Sequence, residues 1–147
     1  LFIEACNIPI NNKSISDLSK MPFKKVKLYS VYFVNGYKFH TEAHSLNKST
    51  TNSGLCVSSQ GGDYYGKVEE ILEVEYPGYP IKTAVLFKCH WYDPTPNIGV
   101  KVHKQYNLVE INVKRKYNKF EPFVLAMQAT QVCYIPYPSS KTNNSDW

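Results

Sequence analysis

Residues 85–96, VLFKCHWYDPTP, hold the side chains of this chain that are best suited to chemistry, namely Cys89, His90, Trp91, Tyr92 and Asp93. A Cys beside a His can bind a metal ion or act as a nucleophile with its base. Aromatic rings beside a carboxylate can instead hold an ammonium group, because the face of each ring attracts a cation. The secondary structure that carries these residues decides between these chemistries.

The segment 81–91, IKTAVLFKCHW, alternates in the manner of a β-strand. Cys89 shares one face with Phe87, whereas His90 lies on the other face, because neighbouring strand residues point to opposite sides. We therefore predict that Cys89 is a buried, inert thiol and that His90 is a surface imidazole. Asp93 stands before a proline, which is typical of a turn.

Beyond a site that combines Cys89 with His103 and another histidine, the sequence offers little for a metal or catalytic centre. His40 and His44 stand four residues apart, but YKFHTEAH is typical of a strand that runs into a loop, not of a helix. No pair of Cys or His residues has the spacing of a zinc site. The pair Gly61–Gly62 fits a turn better than a phosphate-binding loop. We therefore predict that the protein is not an enzyme and that it has no metal and no cofactor.

Composition limits the class of protein further. A chain of 147 residues suits one domain. Its net charge is +5, and Arg115 is the one Arg among 17 basic residues. Proteins that read bases directly rely on bidentate Arg, so this Lys-rich charge favours contacts with phosphates or simple solubility.

The spacing of the cysteines indicates the redox state of the cellular compartment. They are widely spaced, with no Cys-x-x-Cys pair, at Cys6, Cys56, Cys89 and Cys133. No secretory signal is recognisable before them, which favours a reducing compartment such as the nucleus or cytosol. No apolar run reaches the length that spans a bilayer, so we expect no membrane partner.

Frequent turn signals predict a mainly antiparallel β fold. Asn35–Gly36 between two apolar runs indicates a two-residue hairpin turn. A long strand is predicted over 64–76, with a β-bulge near Glu70, where the alternation breaks. We predict an all-β protein with three parts: an irregular lead-in segment over 1–25, a small antiparallel β-barrel over 26–138, and a disordered tail over 139–147.

Aromatic residues stand at the ends of two predicted strands. The strands are joined by the turn PGYP, so the start of the first should lie beside the end of the second. The candidate site there consists of Tyr64, Tyr65, Trp91, Tyr92 and Asp93. Up to four rings and a carboxylate at one mouth of the barrel would suit a methylated lysine. The alternative is that these rings only cap the core.

Residues 101–119, KVHKQYNLVEINVKRKYNK, form the most basic stretch. They contain one acid, Glu110, and six cations, which are Lys101, Lys104, Lys114, Arg115, Lys116 and Lys119. This density of charge suits contact with the phosphates of DNA. The alternative is a solvated edge strand whose lysines oppose aggregation.

Several ordered motifs of the sequence resemble a known family. VNGYKFHT, TTNSG, YYGKVEEILEVEYPG, VLFKCHWYDP, KVHKQYNLVEIN and EPFVLAMQATQVCYIPYP together are similar to the domain-of-unknown-function family 4216 of plant CACTA (En/Spm-type) transposon proteins. The resemblance covers roughly residues 20–138. It implies a plant source, a nuclear location and a role tied to transposition, and it brings no catalytic residues.

The order of YYGKVEEILEV, VLFKCHWYDP and QATQVCYIPY is also similar to bromo-adjacent homology (BAH) domains. That resemblance implies a closed barrel. Some BAH domains read methylated histone tails through a cage of aromatic rings. The resemblance implies that Tyr65 (or Tyr64) and Trp91 occupy two of those cage positions. Tyr92, Tyr106 and Tyr117 are candidates for a third wall.

The favoured function is therefore a non-enzymatic chromatin-binding module that recognises a histone tail, with methyl-lysine as one form of the ligand. One alternative is a DNA-binding accessory domain of a transposase that uses residues 101–119. Another is a domain that docks onto the transposase or a different protein.

Overall fold

The computed structural model describes residues 16–17, 19–46, 48, 51–118 and 122–136. Most of the predicted lead-in and all of the predicted tail lie outside these residues. The strands are β1 Val26–Tyr29, β2 Val31–Val34, β3 Tyr37–His40, β4 Gly54–Ser59, β5 Gly62–Tyr76, β6 Lys82–Trp91, β7 Val100–His103, β8 Leu108–Ile111, β9 Phe123–Leu125 and β10 Thr130–Gln131. A short helix, α1 Glu42–Ser45, and a 3-10 turn, Ala126–Gln128, complete the described elements. The predicted all-β class is confirmed.

The long strand β5 is the centre of a six-stranded antiparallel sheet. The order is β10-β4-β5-β6-β9, and β1 also pairs with β5. β4 pairs with the first half of β5, β1 pairs with residues 71–74, and β6 pairs along most of its length. β10 and β9 lie at opposite ends of this order, so no closed barrel is found among the described strands.

A bulge in β5 determines which residues face the core. The register between β5 and β6 shifts between Val68 and Glu70, which confirms the predicted bulge. Simple alternation assigns Val68 and Ile71 to opposite faces of the strand. The additional residue brings both onto the core face, where each is fully buried.

The turn between β2 and β3 forms as predicted. Val34 pairs with Tyr37, and the two residues between them have positive φ angles of 53° at Asn35 and 79° at Gly36. The sequence predicts a loop after this hairpin, but that prediction is wrong for Glu42–Ser45, which form a helical turn. The Thr41 hydroxyl accepts a hydrogen bond of 3.3 Å from the His44 amide and thereby caps α1.

Two apolar clusters lie on opposite faces of the sheet. The first, hereafter the main core, contains the buried residues Phe39, Leu55, Val68, Ile71, Phe87, Cys89, Trp91, Ala126 and Ala129. The second, hereafter the small cluster, contains the buried residues Tyr92, Val100 and Ile111, with Tyr65 and Tyr134 packed against them.

Strands β7 and β8 form a hairpin of their own. Their register pairs Val100 with Ile111 and His103 with Leu108. The turn between them contains Asn107, which has a positive φ of 51°. The hairpin is separate from the six-stranded sheet. Val100 and Ile111 anchor its base in the small cluster.

None of the helices in the described residues has the length and apolar character needed to cross a membrane.

Candidate functional site

The pairing of β5 with β6 brings the predicted aromatic residues close to one another. Gly66 pairs with Trp91, and the Tyr92 amide donates a hydrogen bond of 2.9 Å to the Tyr65 carbonyl. The start of the first strand therefore lies beside the end of the second, as the sequence predicts.

The rings themselves divide between the two faces of the sheet. Tyr64 and Trp91 pack with the main core, whereas Tyr65 and Tyr92 pack with the small cluster. This division follows from strand geometry, because neighbouring residues point to opposite sides. The five predicted site residues consequently do not line one common cage.

Trp91 is mostly enclosed. Its side chain is 5% exposed, and a Cβ atom placed on Gly66 would lie 2.8 Å from Trp91 Cε3. The indole Nε1 is buried and has no hydrogen-bond partner among the described residues. Trp91 is therefore primarily a packing residue of the core, and only its edge is available to a ligand.

A cavity of about 570 Å³ adjoins that edge of Trp91. Its lining residues are Glu69, Cys89, His90, Trp91, Lys116, Tyr117, Asn118 and Pro122. The Tyr117 amide donates a hydrogen bond of 2.9 Å to the Trp91 carbonyl, and the Tyr117 ring lies 6.1 Å from that of Tyr64. Of the three candidates for a third wall, Tyr117 is the one that lies here.

The other predicted cage residues have partners within the chain. Lys116 Nζ lies 4.9 Å from the centre of the Tyr92 ring, at cation–π distance, and Tyr92 is buried. Asp93 accepts a hydrogen bond of 2.9 Å from the Thr95 amide. Hydrogen bonds from Thr95 lower the pKa of Asp93, so this residue acts as the expected turn former.

Carboxylates surround His90 beside the cavity. His90 Nδ1 lies 2.8 Å from Glu42, and Nε2 lies 3.5 Å from Glu69. Lys88 pairs with Glu69 at 3.2 Å and with Glu70 at 2.7 Å. With Lys67, which pairs with Glu42, the group holds three carboxylates and two ammonium groups. The three carboxylates thus outnumber the two ammonium groups.

Cys89 is placed as the sequence predicts. It lies in the main core, and burial raises the pKa of its thiol. His90, on the opposite face, is half-exposed. Among the described residues, no group of three or more His, Cys, Asp or Glu side chains could hold a metal ion.

Residues 101–119 are hereafter the basic lobe, and residues 101–118 form most of the β7–β8 hairpin and the segment after it. Lys101 pairs across the hairpin with Glu110, and Lys104 lies in its turn. After β8, the chain turns at Asn112, whose side chain accepts a hydrogen bond of 3.2 Å from the Lys114 amide. The Asp93 amide then donates to the Arg115 carbonyl at 3.1 Å, which holds this segment against the end of β6.

The cations of the basic lobe lie at both ends of the hairpin. Lys104 is exposed at the tip, and Lys114, Arg115 and Lys116 are exposed near the base. Four strand residues span about 14 Å, so the two groups are separated by roughly that distance. Lys119 lies outside the described residues. No local signal in the sequence indicates that residues 115–117 pair with the end of β6. The sequence therefore does not predict the contact between Lys116 and the Tyr92 ring.

The described residues thus define a β-sheet domain with a polar–aromatic cavity on one side and a protruding basic hairpin. The chain belongs to the family described as Domain of unknown function (DUF4216), whose model matches residues 72–147. Over these residues, the match confirms the resemblance of the sequence to that domain family. No curated protein and no solved structure matches the chain.

Proposed function

We propose that this domain is a non-enzymatic chromatin-binding module that holds nucleic acid through phosphate contacts made by the basic lobe. The proposal includes the setting expected from the sequence, a nuclear protein of a plant CACTA-type transposon in which the domain assists a transposase. The family to which the chain belongs has no described function, so the support comes from the distribution of charge.

The location of the net charge carries this proposal. The basic lobe has six cations and one acid, which gives a net +5, the same as the whole chain. The remainder of the protein is therefore formally neutral. Five of these cations and the acid are in the described residues, and they lie on and beside a hairpin that is separate from the main sheet. An exposed hairpin can present its cations to phosphates, and phosphate contacts supply most of the affinity of nucleic-acid-binding proteins.

A charge-reversal experiment tests the proposal. The test variant carries Lys104→Glu, Lys114→Glu and Arg115→Glu, three exposed positions of the basic lobe. The matched control carries Lys24→Glu, Lys25→Glu and Lys38→Glu, which are exposed elsewhere and change the net charge equally. Binding to a 20-base-pair DNA is measured by fluorescence anisotropy between about 50 and 200 mM salt.

The wild type should lose affinity steeply as salt rises. The test variant should bind at least tenfold more weakly, with a salt slope lower by about 0.9 for each lost phosphate contact. The control should keep the wild-type slope. Equal losses in both variants would contradict the proposal, because binding would then follow total charge and not the basic lobe.

The cavity beside Trp91 favours a second candidate, recognition of a lysine side chain on a histone tail. Tyr117 and the edge of Trp91 supply aromatic surface, and Glu69 supplies a carboxylate. The predominantly acidic group around His90 would favour a basic peptide. This second proposal includes a BAH-like fold with a closed barrel. The order of the sequence motifs supports it.

A modified-histone peptide array tests the second candidate. Tyr117→Ala and Glu69→Gln should each weaken binding severalfold, whereas Tyr37→Ala, an exposed ring on the β2–β3 hairpin, should not. Glu69→Gln tests the site without removing a ring from the core. Because the contact is partly desolvated, its affinity should change little with salt. Equal binding by wild type and Glu69→Gln would exclude the cavity as a lysine site.

A further inference from the structure

We infer that the tip of the β7–β8 hairpin binds unpaired nucleotides, so that the preferred ligand of the basic lobe is single-stranded nucleic acid. This inference rests on the proposed function and names the form of nucleic acid that the lobe takes. Exposed apolar side chains at the hairpin, which duplex phosphates would not contact favourably, support it.

Aromatic and apolar surface is exposed along this hairpin. Tyr106 in the turn is 67% exposed, and Val102 and Leu108 in the flanking strands are 63% and 60% exposed. Val102 pairs with Val109 and continues the apolar face that begins with the buried pair of Val100 and Ile111. The apolar face therefore extends past the small cluster into solvent, and such surface commonly marks a binding site.

Cations flank this apolar surface on both sides. Lys104 precedes Tyr106 by two residues in the same turn, and Lys114 and Arg115 follow the hairpin. A single strand alternates a charged phosphate with a flat base. The hairpin turn carries the exposed Tyr106 ring and the exposed Lys104, which offers a partner for both parts of that repeat.

A duplex uses this surface less well. In double-stranded DNA the base faces are stacked inside, and only base edges and phosphates are accessible. Edge readers are typically Arg, and the basic lobe has one Arg among its six cations. Tyr106 can stack on a base only when the base is unpaired, because stacking needs access to the ring face.

The experiment compares three probes of the same sequence: a 20-nucleotide DNA strand, the matching RNA strand and the 20-base-pair DNA duplex. Binding is measured at one fixed salt concentration for the wild type, Tyr106→Ala and Tyr106→Phe. Phe33→Ala serves as the matched control, since Phe33 is 70% exposed on the β2–β3 hairpin with Lys38 Nζ 5.4 Å from its ring centre. Tyr106 is exposed, so neither of its replacements removes a core contact.

The wild type should bind at least one of the two strands severalfold more tightly than the duplex. Tyr106→Ala should weaken single-strand binding on the order of tenfold and leave duplex binding unchanged. Tyr106→Phe and Phe33→Ala should behave as the wild type. The DNA and RNA arms then show which strand chemistry is preferred.

Two results would overturn the inference. If the duplex binds as tightly as both strands, or if Tyr106→Ala weakens all probes equally, the tip does not recognise unpaired bases, although phosphate binding by the lobe stands. If none of the three probes binds, the proposed function itself fails. The two failures are thus distinguishable in one data set.

Discussion

Trp91 lies directly across the β5–β6 pair from Gly66 and packs over it. The two residues are register partners, and an added Cβ at Gly66 would come within 2.8 Å of Trp91 Cε3 and 2.7 Å of the His90 carbonyl oxygen. The absence of a side chain at Gly66 therefore creates the space that the indole fills. This contact explains why Trp91 is a core residue and not an open cage wall.

Gly66→Ala should destabilise the protein by about 1–3 kcal/mol, because the methyl group would displace the indole or the β6 backbone. The free energy of unfolding in urea measures this change. Gly61→Ala is a matched control in the turn between β4 and β5, where the nearest heavy atom to the added Cβ is 3.8 Å away. A loss at Gly66 no larger than at Gly61 would contradict the packing described.

Stability should fall as the pH decreases below about 6.5 because of His40. This imidazole is buried, and neither nitrogen has a described partner. Burial lowers its pKa, and His44, Lys38 and Lys48 lower it further by repelling a proton.

The direction of this pH effect follows from proton linkage. An unfolded His takes up a proton near pH 6.5, whereas folded His40 does so at a lower pH, so acid favours the unfolded state in that interval. Urea midpoints between pH 8 and 5.5 should fall more for the wild type than for His40→Leu. Parallel curves for the wild type and His40→Leu would refute the role of His40.

The cysteines should differ in their reactivity with iodoacetamide. Of the three cysteines in the described part of the chain, Cys133 is exposed and should be labelled first, followed by Cys56 and finally Cys89. Burial raises the pKa of both Cys56 and Cys89, and the thiolate is the reactive form. Peptide mapping by mass spectrometry over time measures the order, and labelling in denaturant provides the control. Rapid labelling of Cys89 in the folded protein would contradict its place in the main core.

Tyr134→Phe should cost about 1 kcal/mol of unfolding free energy, because it removes one hydrogen bond. The Tyr134 hydroxyl donates to the Gly66 carbonyl at 2.9 Å and thus ties the segment after β10 to β5. Burial strongly raises the pKa of this phenol, so it keeps its proton at neutral pH. Tyr106→Phe, at an exposed ring, should leave the free energy of unfolding unchanged.

Local signals predicted several elements of the fold. The Asn35–Gly36 turn has positive φ angles at both residues, which these residue types adopt readily. The alternation of β6 placed Cys89 in the core and His90 on the surface. The bulge near Glu70 was visible as a break in alternation, but its consequence for Ile71 depended on the pairing with β6.

The sequence by itself therefore determined the all-β class, the first hairpin, the faces of β6 and the concentration of charge in the basic lobe. These properties depend on short-range backbone preferences and on composition. Only the tertiary structure decided that Tyr64 packs against the main core and Tyr65 against the small cluster. It also decided that Trp91 is enclosed over Gly66 and that Lys116 lies over the Tyr92 ring. Such contacts join residues far apart in the chain, and only the register of the assembled strands determines which side chains meet.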